Sequence, residues 1–585
     1  MKITVSSLVL LALSASKVRC ESFDYIIAGG GTCGLVLANR LSEDPNIRVA
    51  VIEPGNDVRD NINVTSVTRF LRAFGTDIDW DYTMAPQQSA DNITLSYHAG
   101  KAIGGTSTIN GMTYIRGDKA EFDAWEALGN DGWNWETLYP YFKYVERFSP
   151  PTAAQIDAGA SFNPEYHGED GPLTTGFPYE LINGSLYSLA EDSWDKLGYS
   201  LNPDVNSGET RGFSLWPQTL DRDADIREDA ARAYYYPVEK RSNLKIIKGT
   251  VAKLTWADSA TSDGLLSADG VEYRDSSNKT TTLSAAKEIL LSSGALRTPL
   301  ILEHSGIGNR NLLEKYGIET KVELNGVGEN LQDNPNTALE YSSNINVTGT
   351  VPYVTFVTAQ DIFGNQTSAI AAAAEAKISK WAQSVSDVNG GSIDPSQLEK
   401  IFRVQHDLIF NKNVTIAETL TSGSGNILIS AFWTLLPFSR GSVHIKSAED
   451  IDDPAIDPKY FFIDFDLTVQ TGIGRISQEL WYKNPISDVV VQYLVPGDAK
   501  LPRNATDAQW VTSLKSILTP NHHALGTASM MSRELGGVVN PKLQVYGTSN
   551  VRVVDASILP TQISGHLTAT LYAIAERVAD LIKTS

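Results

Sequence analysis

The first clear hydrophobic pattern in the chain is Leu8–Leu13, an unbroken apolar run that follows Lys2 and the serines Ser6 and Ser7. It is shorter than the ~20 apolar residues a membrane helix needs and has the make-up of a secretory leader, so the pattern predicts export, cleavage near residues 16–20, and no membrane anchor. Further on, Phe23–Ala28 is a short apolar run of strand formers, Leu35–Leu41 has an alanine- and leucine-rich helical pattern, and Val49–Ile52 reads as a second strand closed by Glu53. Near the other end, Val551–Ser557 reads as a buried strand and turn, and the alanine-rich stretch 369–382 predicts a helix by propensity. There is no internal repeat and no low-complexity linker.

Between the first strand and helix lies Gly29-Gly30-Gly31-Thr32-Cys33-Gly34. Strand, glycine turn and helix, with an acid about 20 residues on, is the arrangement that takes a dinucleotide. Gly29 permits the tight turn, Gly31 lets backbone approach a pyrophosphate, and Gly34 permits close helix packing. The helix start at Thr32 offers free N–H groups to phosphate, and Glu53 accepts from ribose hydroxyls. Cys33 reads as a small buried residue beside the cofactor. The loop alone does not choose between NAD and FAD.

Length and charge narrow the classes. At 585 residues the chain exceeds what one hydrophobic core usually supports, so two lobes are expected. With 48 basic against 69 acidic residues and a formal charge of −21, nucleic acid and anionic membrane surfaces are excluded as partners. Eight Asn-x-Ser/Thr sites, at Asn63, Asn92, Asn183, Asn278, Asn346, Asn365, Asn413 and Asn504, fit an exported glycoprotein. Of two cysteines, Cys20 falls in the cleavage region and Cys33 in the glycine loop, so no internal disulfide is expected after cleavage.

Two longer stretches choose the cofactor. Gly100 through Gly111 (GKAIGGTSTING) and Gly294 through Leu302 with Ser305-Gly306-Ile307-Gly308 resemble, in order, the two signatures of the glucose–methanol–choline (GMC) oxidoreductases. Val327–Asp333, Leu436–Gly441 and the run from Asn521 through Ala575 extend the likeness over nearly the whole chain. Within the family it is most similar to the fungal FAD-dependent glucose dehydrogenases and glucose oxidases. The resemblance implies FAD, with Thr106, Asn110, Gly111, Thr113, Val251, Asp555 and Ala556 at positions that contact it. It also implies an α/β (α+β) two-lobed fold: a Rossmann-like FAD-binding domain (21–150, 225–330 and 520–585) interleaved with a substrate domain (151–224 and 331–519), the latter an antiparallel sheet backed by helices.

The same resemblance selects the chemical centre. In Asn521-His522-His523-Ala524-Leu525-Gly526-Thr527 the family's catalytic histidine stands three residues before Gly-Thr, which picks His523 over His522; its companion is His566. Oxidising an alcohol requires removing a hydroxyl proton while hydride leaves for flavin N5, and neutral imidazole suits the first task. His523 is assigned as that base and His566 as the group that stabilises charge on the substrate oxygen. His522, His98, His167, His304, His406 and His444 are assigned structural or supporting places. The glucose-oxidising relatives carry an acidic residue two positions before the Trp that matches Trp433, and an Arg two positions before the Asn that matches Asn521. This chain has Ala431 and Thr519 there, and Phe70 where the dehydrogenases place a sugar-contacting tyrosine. Each unmatched buried hydroxyl costs about 1–3 kcal/mol. The expected substrate is therefore a small non-sugar alcohol (aryl, furanic or lactone-bearing, from secondary metabolism), with oxygen or another electron acceptor and a monomeric or homodimeric enzyme. Sugar oxidation and a non-redox lyase or cyclase on the same scaffold are the competing readings.

Overall fold

The computed structural model describes residues 22–181, 186–349 and 353–584. The apolar leader, Cys20 and Asn183 lie outside them. None of the described helices is long and apolar enough to cross a membrane.

The expected strand, turn and helix form at β1 (Ser22–Ala28), α1 (Thr32–Leu41) and β2 (Val49–Glu53). β1 lies parallel between β2 and the long strand Thr280–Leu291, with Ile26 opposite both Ala50 and Ile289. Leu244–Trp256 extends the parallel set beyond β2, and Val551–Val553 extends it beyond Thr280–Leu291. At the centre of this sheet β1 and β2 are buried on both faces and read as near-continuous apolar runs, whereas Leu244–Trp256 and Thr280–Leu291 carry exposed polar positions. The carboxyl ends of the parallel strands gather at one edge, where open parallel sheets take ligands. α1 and the C-terminal helix Leu567–Lys583 pack on it through Leu35, Leu37, Ala573 and Val578.

A second core surrounds an antiparallel sheet ordered Val490–Val495, Pro335–Val347, Thr415–Thr434, Tyr353–Thr358 and Gly212–Ser214. The 20-residue strand Thr415–Thr434 is its spine, pairing with Tyr353–Thr358 over one half and with Pro335–Val347 over the other. The helix Asp464–Trp481 backs it, burying Val469, Ile473 and Trp481. Glu146–Ser149, Leu173–Gly176, Gln218–Asp221 and Ile226–Arg227 form a smaller sheet whose strands lie on both sides of the expected boundaries at 150 and 224.

The alanine-rich stretch corrects its expectation. Instead of one helix over 369–382 there are two, Thr367–Glu375 and Ile378–Val388. The first buries only Ala374, whereas the second turns to bury Ile378, Trp381, Ala382 and Val385. Packing of that apolar face overrides uniform propensity.

Candidate active site

One cavity of about 970 Å³ runs between the two lobes, from Gly29 and Glu53 at one end to His523 and His566 at the other. Its walls include Gly31, Thr32, Cys33, Thr106, Asn110, Gly111, Thr113, Val251, Asp555, Ala556, Phe70, Ala431, Trp433, Thr519 and Asn521. Of the site residues singled out from the sequence only Gly34 stands off the cavity. A side chain there would meet the Gly29 carbonyl oxygen at 2.0 Å, so Gly34 lets α1 close against the turn.

At the first end the walls are backbone. Gly29 has φ +106°, and a Cβ on it would lie 2.4 Å from the Ser292 carbonyl oxygen. Gly105 has φ +54°, and its Cβ would lie 2.7 Å from the Gly31 Cα. Two glycine loops therefore touch face to face, leaving a trough beside the start of α1, whose N-cap Gly31 supplies no side-chain cap. Glu53 is buried; its two oxygens accept the Gly30 N–H (2.8 Å) and the Gly55 N–H (2.7 Å), and burial raises its pKa to about 6. Asp555 is anchored by the Gly294 N–H (2.9 Å) and the Thr298 hydroxyl (2.6 Å). Asn110 Oδ1 accepts from the buried Arg227 (2.7 Å). Uncapped helix N–H groups, close-packed glycine backbone and a buried acid with lone pairs to spare fit the diphosphate and ribose of FAD.

At the other end side chains dominate. The loop bearing His523 is clamped: its backbone N–H donates to Asp333 Oδ1 (2.6 Å), and its carbonyl accepts from Gln562 Nε2 (2.9 Å). The next N–H, of Ala524, donates to the Tyr97 hydroxyl (2.7 Å). The His523 Nδ1 lies 3.1 Å from Asn334 Oδ1 and 3.1 Å from Asn521 Nδ2. Burial, reinforced by the neighbouring histidines, holds its pKa well below the ordinary value, so the ring is neutral. His566 caps the C-terminal helix and follows Gly565, where a Cβ would lie 2.5 Å from the Arg116 backbone. Only glycine admits that approach. The two rings meet edge to face with centroids 5.0 Å apart, and Trp433 and Trp216 flank His566.

Sequence reasoning missed two contributors here. Glu418, on the strand Thr415–Thr434, is fully buried and places Oε1 3.1 Å from His566 Nε2. Its burial raises its pKa, with His566 opposing the rise. The signal was present: a lone carboxylate among the strand formers Thr415–Leu420. Asn334 gave no signal. Two histidines assigned supporting places, His98 and His522, also line the cavity. His522 sits at φ +61°, accepts the His98 backbone N–H at Nδ1 (3.2 Å), and is held neutral by burial, with a pKa of about 3.

At the positions where the family resemblance implies polar anchors, Ala431 lies on the spine strand opposite Ala338, and Phe70 starts a short helix beside the exposed Leu71. Thr519 is exposed and makes only a 3.4 Å contact to the Asn336 carbonyl.

Comparison with known proteins agrees over the whole length. Residues 23–336 and 437–575 match the N- and C-terminal models of the GMC oxidoreductases. The chain is 54% identical to the glucose oxidase-like protein fsoC of Humicola fuscoatra, over 98% of each chain. It is 35% identical to the glucose oxidase of Penicillium chrysogenum, covering 97% of this chain and 93% of that one. Among solved structures, an FAD-dependent oxidoreductase from Chaetomium thermophilum superposes with a TM-score of 0.87 at 30% identity, covering 96% of this chain and 99% of that one. A fungal aryl-alcohol oxidase superposes with a TM-score of 0.85 at 25% identity and the same coverage. The chain belongs to the GMC oxidoreductase family and is an FAD-dependent oxidoreductase acting on an alcohol group.

Proposed function

We propose that the enzyme oxidises a small, largely apolar alcohol (aryl, furanic or lactone-bearing) rather than a sugar. One observation carries this reading. Phe70 and Ala431, with Val67, Leu71, Leu420 and Ile429, line the cavity where a polyol needs several fixed donors and acceptors. A sugar meets fewer fixed partners along this apolar wall than it has hydroxyls, and each one left unmatched costs about 1–3 kcal/mol.

FAD supplies the hydride acceptor. His523, neutral and clamped by its backbone, takes the hydroxyl proton as the carbinol C–H bond gives up its hydride, and the product is the carbonyl. His566, held through Nε2 by Glu418, is the group placed to stabilise the charge that develops on the alcohol oxygen. Burial of Glu418 strengthens that pairing, because no water competes for the carboxylate.

The test is a panel of aryl, furanic, lactone and sugar alcohols assayed with oxygen and dye acceptors in parallel. Glucose turnover matching the best aryl or furanic alcohol would overturn the substrate reading. Flavin that fails to bleach with any alcohol without oxygen would favour lyase chemistry. We also propose export as a glycoprotein, supported by the apolar leader and by the exposure of Asn92, Asn278, Asn346, Asn365, Asn413 and Asn504. N-terminal sequencing and a mass shift with an N-glycosidase test it.

A further inference from the structure

We propose that Asn334 is a positioning residue for the oxidation: it holds the His523 imidazole as the Nδ1–H tautomer, leaving the Nε2 lone pair for the alcohol proton. This rests on the reading of His523 as the base.

Asn334 is buried and does not face the cavity. Its amide nitrogen donates to two backbone carbonyls, Thr434 O at 2.9 Å and Leu435 O at 3.1 Å. Carbonyls can only accept, so these bonds decide which end of the amide is nitrogen. The other end, Oδ1, must then face His523 Nδ1 at 3.1 Å. Two lone pairs at that distance repel, so Nδ1 carries the proton. A neutral imidazole has one N–H, and Nε2 is therefore bare. Burial keeps His523 from taking a second proton at neutral pH.

Asn521 also flanks Nδ1 at 3.1 Å, but it does not set the tautomer. Its side chain otherwise meets only the Asn336 amide at 3.4 Å, which can turn with it, so Asn521 adapts while Asn334 is fixed. The clamp is rigid at backbone level too: the Asn521 N–H donates to the Asn334 carbonyl (3.1 Å), and the neighbouring Asp333 takes the His523 N–H. Nor is Nδ1–H a habit of this loop. In His522 the same atom accepts a backbone N–H from His98, which puts the proton on Nε2. Adjacent histidines are wired as opposite tautomers, and what differs is the partner at Nδ1.

The experiment combines ¹⁵N NMR of histidine-labelled holoenzyme with variants at Asn334 and His523. In the wild type, the resonances lost in His523→Gln should report a protonated Nδ1 and a bare Nε2. Asn334→Leu should lower kcat about 10–100-fold per bound flavin with KM within threefold, by analogy with loss of the partner that orients a metal-bound imidazole. A protonated Nε2 in the wild type overturns the proposal even if Asn334→Leu fails to fold, as does a kcat in that variant within twofold of wild type. Normal turnover in His523→Ala would overturn the base reading instead.

Discussion

The two ends of the cavity are built from different material. The end to which we assign the dinucleotide is backbone: Gly29 and Gly105 make contacts that any side chain would block, against Ser292 and Gly31. The end to which we assign the chemistry is side chain: His523, His566, Glu418, Asn334 and Phe70 come from five separate stretches and meet only after both sheets have formed. A backbone site tolerates almost no addition, whereas a side-chain site can be re-aimed one residue at a time. One scaffold can therefore keep its cofactor while its substrate changes.

If that division holds, damage at one end leaves the other intact. The largest effect is expected for His523→Ala, which should lower turnover by ~100-fold or more while flavin absorbance per protein stays at the wild-type level. Loss of flavin together with turnover would break the division. The same residue sets a pH expectation. Because its pKa is held well below 6.5, its proton-accepting form is complete at neutral pH. kcat/KM for an uncharged alcohol should thus stay level from pH 8 down past pH 6.5, and a drop centred at 6.5 that His523 variants abolish would contradict this.

Gly105→Ala attacks the other end. Its Cβ would sit 2.7 Å from the Gly31 Cα, backbone against backbone, at a φ that alanine disfavours. Neither loop can yield cheaply, so overpacking of about 2–3 kcal/mol is expected. Flavin should be bound tenfold or more weakly, and the fraction refilled with excess FAD should keep a near-normal kcat. Glu418→Gln comes next. It keeps a group of the same shape beside His566 Nε2 but removes the charge, and kcat should fall about tenfold with flavin retained. An unchanged kcat would make Glu418 a packing residue.

The same contrast explains what could be read in advance. Strand, glycine turn, helix and acid all fall within residues 22–53, and spacing alone fixes how they meet, so that end was legible residue by residue. His523 and His566 were legible through the sequence stretches that resemble the family. Glu418 was not, because its role depends on one register, Glu418 opposite Phe356, that no local pattern reveals. Asn334 was hidden more deeply. Its function comes from two carbonyls about a hundred residues away that fix its amide. The alanine-rich helix broke in two for a related reason: propensity saw one run of helix formers over 369–382, but burial of Trp381 and Val385 set the axis of the second helix.

The smallest effect expected is also the most specific to the substrate end. Phe70 begins the short helix at the cavity mouth, and its ring edge lies 3.8 Å from where a Gly111 side chain would start. Phe70→Tyr adds one hydroxyl at the ring tip and removes nothing, so the cofactor end should not register it. A single new donor supplies one of the several partners a polyol needs, worth about 0.5–1.5 kcal/mol. The ratio of sugar to aryl-alcohol kcat/KM should therefore rise about three- to tenfold, chiefly through KM. A hydroxyl that finds only water would leave the ratio unchanged and place the specificity of this wall in Ala431 and Thr519 instead. A ratio that rises a hundredfold would mean the remaining polar partners were already in place, and the apolar substrate assigned to this cavity would be wrong.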